Sequence, residues 1–197
     1  MRIYSYVVAR DYGFAPNPFH GYCTLATCRP DLRNCAKVGD WLIGTGSASR
    51  NDITRLIYAM KVEEILSFED YYKDDRFQDK KPDLTKSAKF NYGDNIYTKD
   101  ENMEWVALDS HHYREGGNGN RDNITKDTSG PKVLISKTFI YLGDNSVEIP
   151  EDLHFIIKDR QGTRSRFTDD ELNRIESWLI EIMQEGTGLR GLPNNWN

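Results

Sequence analysis

Residues 13–30 read Gly-Phe-Ala-Pro-Asn-Pro-Phe-His-Gly-Tyr-Cys-Thr-Leu-Ala-Thr-Cys-Arg-Pro, and residues 37–47 read Lys-Val-Gly-Asp-Trp-Leu-Ile-Gly-Thr-Gly-Ser. These two segments are too polar and too aromatic for simple core, and too rich in proline and glycine for one regular element. They follow residues 3–9, whose alternating apolar pattern predicts a strand. Because binding groups often lie on loops that a rigid sheet positions, we expect any pocket of this protein to lie in these segments.

Outward from these segments, the sequence predicts further strands separated by short helices and loops. Short runs of apolar, β-branched and aromatic residues, bounded by turn formers, are typical of strands. Residues 30–36 predict one or two helical turns. Residues 11–30 and the Gly/Asn-rich residues 113–130 predict loops, of which the second is expected to be mobile. The further strand candidates are residues 41–44, 55–65, 105–108 and 133–142.

Two capping boxes predict where helices begin. Ser67 and Thr168 are each followed, three positions later, by an acidic residue that can complete reciprocal hydrogen bonds with the helix start. They predict a short helix over residues 68–73 and an amphipathic helix that ends near Gly186. We predict an α+β fold in which a curved, mostly antiparallel sheet or half-barrel carries this C-terminal helix.

The composition is that of an ordinary soluble protein. Hydrophobic residues make up 38% and charged residues 29%, and no apolar run approaches the roughly 18 residues that cross a bilayer. The N-terminal residues lack a signal-peptide pattern, so we expect a cytoplasmic protein with no membrane partner. The net charge is −5, with a local surplus over residues 1–60 (seven Lys/Arg against four Asp/Glu). This balance disfavours a protein that tracks long duplex DNA.

Three cysteines and a nearby histidine are possible metal ligands. Cys23, Cys28 and Cys35 lie close to His20, and their odd number argues against a disulfide framework. The spacings Cys-x4-Cys and Cys-x6-Cys are looser than the Cys-x2-Cys pattern of structural zinc sites. We therefore predict buried free thiols, no metal site and no cofactor.

An Asp-Ser-His-His run follows the predicted strand over residues 105–108. Neighbouring strand residues point to opposite faces, so His111 and His112 cannot both bind one ion without a bend. One imidazole can act as a general acid or base oriented by Asp109. The alternative is a histidine that only hydrogen-bonds neighbouring backbone. Asp109, His111 and His112 are therefore the candidate catalytic residues of an enzyme.

Aromatic and polar side chains of the opening segments predict a slot for a flat heterocycle. The rings of Phe19, Tyr22 and Trp41 can stack on a base, although core packing also explains such rings. Gly44 to Ser47 can cradle a phosphate through backbone N–H groups, although a tight turn after a strand also explains these glycines. The candidate ligand-binding residues are Asn17, Phe19, His20, Tyr22, Asp40, Trp41, Thr45 and Ser47, and the candidate phosphate-binding residues are Arg29, Arg33 and Lys37.

A family resemblance is carried by short runs within residues 1–150. The runs are residues 4–8, 13–19, 23–30, 38–41, 93–97, 109–112, 133–136 and 139–141. Through them the chain resembles the nucleotide modification associated domain 2 family, which implies a role in phage or bacterial systems that make or handle modified bases. A weaker architectural similarity to PUA, ASCH and EVE domains implies an aromatic-lined pocket that holds a base.

The resemblance and the residues together predict a function in nucleotide handling. We expect a single domain over residues 1–197, with a family-like core at 1–150, an insertion at 74–130, and a helix and tail at 151–197. We expect it to bind a nucleotide or a modified base, as DNA, RNA or free nucleotide, and a homo-oligomer remains open. The alternatives are an enzyme of nucleotide or base modification that uses Asp109 with His111 or His112, and a protein that sequesters a nucleotide signal in phage–host conflict.

Overall fold

Strands and helices are mixed along the chain, which confirms the α+β class. In the described residues the sheets are open, and none closes into a barrel. Across the same ranges, every helix is too short or too polar to pass through a lipid bilayer. This computed structural model describes residues 1–114, 121–158, 160 and 162–196.

The elements are numbered in chain order. The described strands are β1 (Ile3–Val7), β2 (Cys23–Leu25), β3 (Trp41–Thr45), β4 (Arg55–Lys61), β5 (Glu64–Ser67), β6 (Tyr97–Lys99), β7 (Trp105–Ala107), β8 (Lys132–Ser136), β9 (Phe139–Tyr141), β10 (Val147–Glu148), β11 (Thr163–Arg164) and β12 (Gly188–Leu189). The α-helices are α1 (Pro30–Cys35), α2 (Phe68–Lys73), α3 (Ala88–Asn91), α4 (His111–Arg114), α5 (Arg121–Thr128) and α6 (Asp169–Gln184). Short 3-10 helices are Ala48–Arg50, Asp75–Lys80, Gly143–Asn145, Glu151–Ile156 and Asn194–Trp196.

The first of two units comprises Met1–Asp11, Lys37–Glu63 and Ser136–Asn197. It contains one mixed sheet with strand order β11-β1-β3-β4-β9-β12, and β10 pairs with β4. The β1–β3 and β9–β12 pairs are parallel, and the other four pairs are antiparallel. The sheet is therefore mostly antiparallel, as predicted.

Helix α6 belongs to this first unit and begins where the sequence predicts. The Glu171 N–H donates to the Thr168 hydroxyl at 3.3 Å, and the Thr168 N–H donates to the Glu171 carboxylate at 2.7 Å. This confirms the capping box. Ile175 and Leu179 are fully buried in the apolar core of the unit, and burial of each such side chain stabilises the fold by about 1.5–3 kcal/mol.

The second unit comprises Tyr12–Ala36 and Glu64–Ile135. It contains a three-stranded sheet with order β2-β8-β5 and a separate antiparallel pair, β6 and β7. Helix α2 begins as predicted, because the Asp70 N–H donates to the Ser67 hydroxyl at 3.0 Å. Buried aromatic rings fill the core of this unit, namely Phe14, Phe68, Tyr71, Phe77 and Tyr97.

Two long strands predicted from apolar runs are wrong, since each run forms two strands. Residues 55–65 divide between β4 and β5, and residues 133–142 divide between β8 and β9. One carboxylate explains both breaks. Glu63 accepts hydrogen bonds from the backbone N–H groups of Lys137 and Thr138, and from the Thr138 hydroxyl at 3.0 Å. A polar turn therefore interrupts two apolar runs at the same place.

The predicted loops also hold regular structure. Residues 11–30 contain β2, and residues 113–130 contain α5, in which Asp127 is buried. The expected glycine-rich part of the second loop, Gly116, Gly117 and Gly119, lies outside the described residues. His111 and His112 begin helix α4, so the assumption that they end a strand is wrong.

Candidate functional site

Three aromatic rings meet at the surface of the second unit, and we call them the aromatic cluster: Tyr12, Tyr92 and His111. The Tyr12 and Tyr92 rings are stacked, with centroids 5.1 Å apart and an interplanar angle of 14°. The His111 ring lies 5.1 Å from Tyr12 and 5.0 Å from Tyr92. His111 is exposed and both tyrosines are half-buried. The cluster therefore offers an aromatic surface that a flat ligand can cover.

Each ring of the cluster comes from a different segment. Tyr12 precedes the Pro/Gly-rich segment, Tyr92 is the C-cap residue that follows helix α3, and His111 begins helix α4. The Asn17 side-chain amide donates to the Tyr92 backbone carbonyl at 3.0 Å and so helps to fix the backbone that carries the ring. Burial, followed by the nearby Tyr12, raises the pKa of Tyr92. The phenol thus stays neutral at physiological pH, as a stacking ring should.

A second ring pair with adjacent cations lies two residues before Tyr92. The His20 and Phe90 ring centroids are 5.0 Å apart. The ammonium groups of Lys86 and Lys89 lie 5.0 and 5.1 Å from the Phe90 centroid. Burial, followed by the charge on Lys80, lowers the pKa of His20, so this imidazole is neutral near pH 7. We call His20, Phe90, Lys86 and Lys89 the basic–aromatic patch.

A buried polar network fixes the helix that carries His111. His112 Nε2 lies 3.0 Å from the Asp127 carboxylate, and the Tyr97 hydroxyl donates to the same carboxylate oxygen at 2.8 Å. Burial, followed by the charge on Asp127, raises the pKa of Tyr97. The His112 ring also lies 5.0 Å from the Phe14 ring. The Asp127 carboxylate therefore joins helices α4 and α5, although the sequence predicts a loop over residues 113–130.

The three predicted phosphate-binding residues lie in different surroundings. Arg33 is fully buried, and its guanidinium donates to the backbone carbonyls of Cys28 at 2.8 Å and Asp127 at 2.6 Å. Burial lowers the pKa of Arg33, against the opposing effect of Asp127. Arg29 forms an ion pair with Asp31 at 2.7 Å. Lys37 is exposed and belongs to the first unit.

Among the predicted ligand-binding residues of the second unit, Asn17 is part of a buried network. The Lys80 ammonium donates to the Asn17 side-chain oxygen at 2.6 Å, to its carbonyl at 3.0 Å and to the Tyr22 carbonyl at 3.0 Å. Burial lowers the pKa of Lys80 to about 8. Phe19 is buried, and the Tyr22 ring packs edge-on against Phe77. These groups fix the Pro/Gly-rich segment within the unit.

Asp94 extends this network away from the surface. Its carboxylate accepts from the Thr24 hydroxyl at 2.6 Å and from the Tyr71 hydroxyl at 2.8 Å. Burial raises the pKa of Asp94, although the Lys80 ammonium lowers it. Because Lys80, Asp94 and Tyr71 are all fully buried, the network acts on the fold and is closed to a substrate.

The other predicted ligand-binding residues belong to the first unit. Trp41 is 2% exposed, and its indole N–H donates to Glu176 at 3.4 Å. Asp40 accepts from the backbone N–H groups of Arg2 at 2.7 Å and Lys37 at 2.9 Å. Thr45 is buried, and the Ser47 N–H donates to Asp52 at 2.6 Å. In this unit the four residues are held by protein contacts.

The sequence predicts that Asp109 orients one of the two histidines. In the structure, a different carboxylate lies beside them. Asp109 is exposed and accepts from the Arg114 guanidinium at 2.7 Å, which lowers the pKa of Asp109. The carboxylate against His112 is that of Asp127. His111 belongs to the aromatic cluster. The run Asp109 to His112 therefore supplies one surface ring and one half-buried imidazole.

The three cysteines differ in exposure. Cys23 is fully buried, Cys28 is half-buried and Cys35 is exposed. The prediction of buried thiols is confirmed for Cys23 and wrong for Cys35. Burial, followed by Asp127, raises the pKa of the Cys28 thiol to about 12.

A groove of about 380 Å³ lies on the first unit, beside helix α6. Its lining includes Asp152, Arg174 and Trp178, and Arg174 donates to Asp152 at 2.6 Å. Arg174 is the one cation among the described lining residues, and its bond to Asp152 occupies it, so these residues offer no uncommitted cation to an anionic ligand. We therefore place the candidate site on the second unit.

Sequence reasoning missed Tyr92, Asp127 and the role of Tyr97. Tyr97 lies in a run that carries the family resemblance, as does Asp94, and this was the available signal. No sequence signal marks Asp127, because a lone aspartate among polar residues is typical of a solvated surface.

Comparison with known proteins identifies the family. The model of nucleotide modification associated domain 2 matches residues 1–197, so the chain belongs to this family over its whole length. The match extends beyond the residues 1–150 that the resemblance covered. Among curated proteins and among solved structures, none matches the chain. The family name associates the protein with nucleotide modification.

Proposed function

Because the chain belongs to the nucleotide modification associated domain 2 family, we propose that its second unit binds a nucleotide or a modified base on the aromatic cluster. The observation that carries this proposal is the meeting of Tyr12, Tyr92 and His111 at the surface, with ring centroids no more than 5.1 Å apart. Stacking of a base on such rings stabilises a complex by about 1–3 kcal/mol. It also tolerates modified bases, because every base has a π face.

The basic–aromatic patch supplies positively charged ammonium groups for a phosphate. Lys86 and Lys89 lie beside Phe90, two residues from Tyr92. Lys86 also forms an ion pair with Asp83 at 3.2 Å, so Lys89 is the main candidate for a phosphate contact. Residues 61–128 carry 16 acidic against 11 basic residues, so this region lacks the basic surplus that long nucleic acids require. A single nucleotide or a short single-stranded stretch of nucleic acid fits this charge balance better than a duplex.

The proposed rings replace part of the sequence-based set. Phe19 and Trp41 are buried, so their faces are covered by protein in the described structure. His20 stays in the proposal as the partner of Phe90. Arg33 leaves it, because its guanidinium bonds to backbone carbonyls in the interior.

A thermal-shift screen tests the proposal. The panel contains normal and modified nucleosides and nucleotides, and short single-stranded DNA and RNA. We expect at least one member to raise the melting temperature of the wild-type protein, and we expect Tyr12→Ala and His111→Ala to reduce that shift. Tyr72→Ala is the matched control, since Tyr72 is a half-buried tyrosine outside the cluster. No shift with any member would remove the proposal.

The same screen separates two forms of the function. A shift with free nucleotide and none with oligonucleotide supports sequestration of a nucleotide signal. A shift that requires an oligonucleotide supports recognition of a base within a polymer. The partner and the oligomeric state remain predictions.

A second candidate function is enzymatic, and the His112–Asp127 contact favours it. An imidazole oriented by a buried carboxylate can act as a general acid or base, here next to His111 of the aromatic cluster. The test is mass spectrometry of nucleotides incubated with the protein. Turnover that is lost in His112→Gln and kept in Asp109→Asn supports this role, and turnover that survives His112→Gln eliminates it.

A further inference from the structure

Three side chains of metal-binding type converge in the second unit, outside the aromatic cluster. One ligand atom each of Cys28, His112 and Asp127 lies within 4.8 Å of the other two. His112 Nε2 and the Asp127 carboxylate are 3.0 Å apart. The three residues come from three separate segments, so their convergence is a product of the fold.

Thiolate, imidazole and carboxylate are the three side-chain ligands of zinc in proteins. Zinc bonds of about 2.0–2.3 Å in a tetrahedral arrangement place the donor atoms about 3.3–3.6 Å apart. The imidazole and carboxylate are already near that separation, and the thiol needs a movement on the order of 1 Å at most. Rotation about the side-chain bonds of Cys28 and His112 can supply it.

We propose that Cys28, His112 and Asp127 bind one zinc ion, with the fourth position open to water. Three protein ligands with one open position is the arrangement of catalytic zinc, whereas structural zinc usually has four protein ligands. Cys28 and His112 are half-buried, while Asp127 is 2% exposed. Cys28 and His112 therefore keep some solvent exposure, whereas Asp127 keeps almost none.

The groups around the three ligands fit this assignment. The Tyr97 hydroxyl donates to the Asp127 carboxylate at 2.8 Å, and such second-layer hydrogen bonds orient metal ligands. The buried Arg33 guanidinium bonds to the backbone carbonyls of both Cys28 and Asp127 and so holds two ligand-bearing segments together. Binding of Zn²⁺ with release of the Cys28 proton changes the charge of the three-ligand group from −1 to 0, so Arg33 faces a neutral site and not a cationic one.

The proposal does not depend on nucleotide binding, and it is an alternative to the general acid–base role of His112, because a ring nitrogen that binds zinc cannot also take up a proton. It rests on residues other than the aromatic cluster, and metal binding is measured without any nucleotide. When bound, zinc supplies a Lewis acid and a water of lowered pKa, next to the surface where a base is proposed to stack.

The test is cobalt and zinc titration of the folded, metal-stripped protein. We expect one equivalent of either metal to bind, and we expect cobalt to give the near-ultraviolet charge-transfer band of a thiolate ligand. Cys28→Ser should abolish that band, and His112→Gln should weaken zinc binding at least tenfold. Tyr97→Phe should weaken it about tenfold to a hundredfold.

Matched controls are available within the same segments. Cys35→Ser removes an exposed thiol on helix α1, and His111→Gln removes the neighbouring imidazole. Both should keep full metal binding. Circular dichroism verifies that each variant is folded, and Cys28→Ser serves as the test if His112→Gln fails to fold.

Two results would overturn the proposal. The first is a folded wild-type protein that binds neither cobalt nor zinc, including the case in which Cys28 instead reacts rapidly with iodoacetamide as a nucleophilic thiol. The second is metal binding that Cys28→Ser or His112→Gln leaves unchanged, because the ion would then be held elsewhere.

Discussion

His112 Nε2 lies 3.0 Å from the Asp127 carboxylate, although the two residues are separated by 15 positions in the chain. This contact ties the short helix α4 to helix α5, and Tyr97 donates to the same oxygen from strand β6. An isolated four-residue helix is unstable in water, so α4 depends on such contacts. The network therefore sets the position of His111, the neighbouring residue, in the aromatic cluster.

Removal of the buried Tyr97 hydroxyl should destabilise the protein. We expect Tyr97→Phe to lower the free energy of unfolding by about 1–2 kcal/mol, because Asp127 loses a buried hydrogen-bond donor. Equilibrium unfolding in urea at pH 7 measures this loss. Tyr72→Phe is the control, and an equal loss in both variants would contradict the assigned role of the Tyr97 hydroxyl.

The same hydroxyl should make stability depend on alkaline pH. The pKa of Tyr97 is raised above its ordinary value near 10, so the folded state retains a proton that the unfolded state releases. The stabilisation is thus complete below pH 10 and is lost as the pH rises beyond it. Wild type should lose stability more steeply than Tyr97→Phe in that range, and parallel pH profiles would contradict the argument.

The buried lysine should be essential for the fold. Lys80→Met removes three buried hydrogen bonds, two to oxygens of Asn17 and one to the Tyr22 carbonyl. We expect a loss of about 3 kcal/mol in the free energy of unfolding. Lys81→Met, at the half-buried neighbouring position, should cost less than about 1 kcal/mol. Similar losses of unfolding free energy at both positions would show that the Lys80 network does not stabilise the fold more than an ordinary surface contact.

Much of the architecture follows from the sequence, for physical reasons that are local. The capping boxes at Ser67 and Thr168 begin helices as predicted, because a cap depends on residues within four positions. The division of residues 55–65 into β4 and β5 could not be predicted in this way. It depends on Glu63 bonding to Lys137 and Thr138, more than 70 positions away.

Glu63 should stabilise this junction in a pH-dependent manner. Burial raises the pKa of Glu63, but hydrogen bonds from the backbone of Lys137 and Thr138 outweigh that effect and hold it below its ordinary value. The stabilisation is present above about pH 4.5 and is lost as the pH falls through the lowered pKa. Glu63→Gln should therefore cost about 1 kcal/mol at pH 7 and little at pH 3, as measured by urea unfolding. A loss independent of pH would contradict this account.

Gly46 should tolerate no side chain. A Cβ at this position would lie 1.9 Å from the backbone carbonyl oxygen of Asp52, so the turn would have to move. We expect Gly46→Ala to cost about 3 kcal/mol, measured by thermal unfolding. Ala48→Ser, at an exposed position two residues later, should change stability by less than about 0.5 kcal/mol. A neutral Gly46→Ala would show that this turn is loosely packed.

The candidate site was only partly predictable. The aromatic residues of the two opening segments and the histidines at 111 and 112 were recognisable, because their side-chain chemistry marks them in any context. Which rings face solvent depends on packing: Trp41 is buried in the first unit, while Tyr92 reaches the surface of the second beside residues far away in sequence. The exposure of each ring is set by contacts between residues far apart in the chain, and a single sequence does not display those contacts.

Isothermal titration of the best-binding nucleotide from the screen, with wild type, Tyr12→Phe and Tyr12→Ala, tests the central claim most directly. Stacking requires the ring and does not require its hydroxyl. The account predicts that Tyr12→Phe retains affinity within about twofold, whereas Tyr12→Ala loses about fivefold to a hundredfold, equivalent to about 1–3 kcal/mol. Unchanged affinity in Tyr12→Ala, with a loss in Trp41→Ala instead, would contradict it.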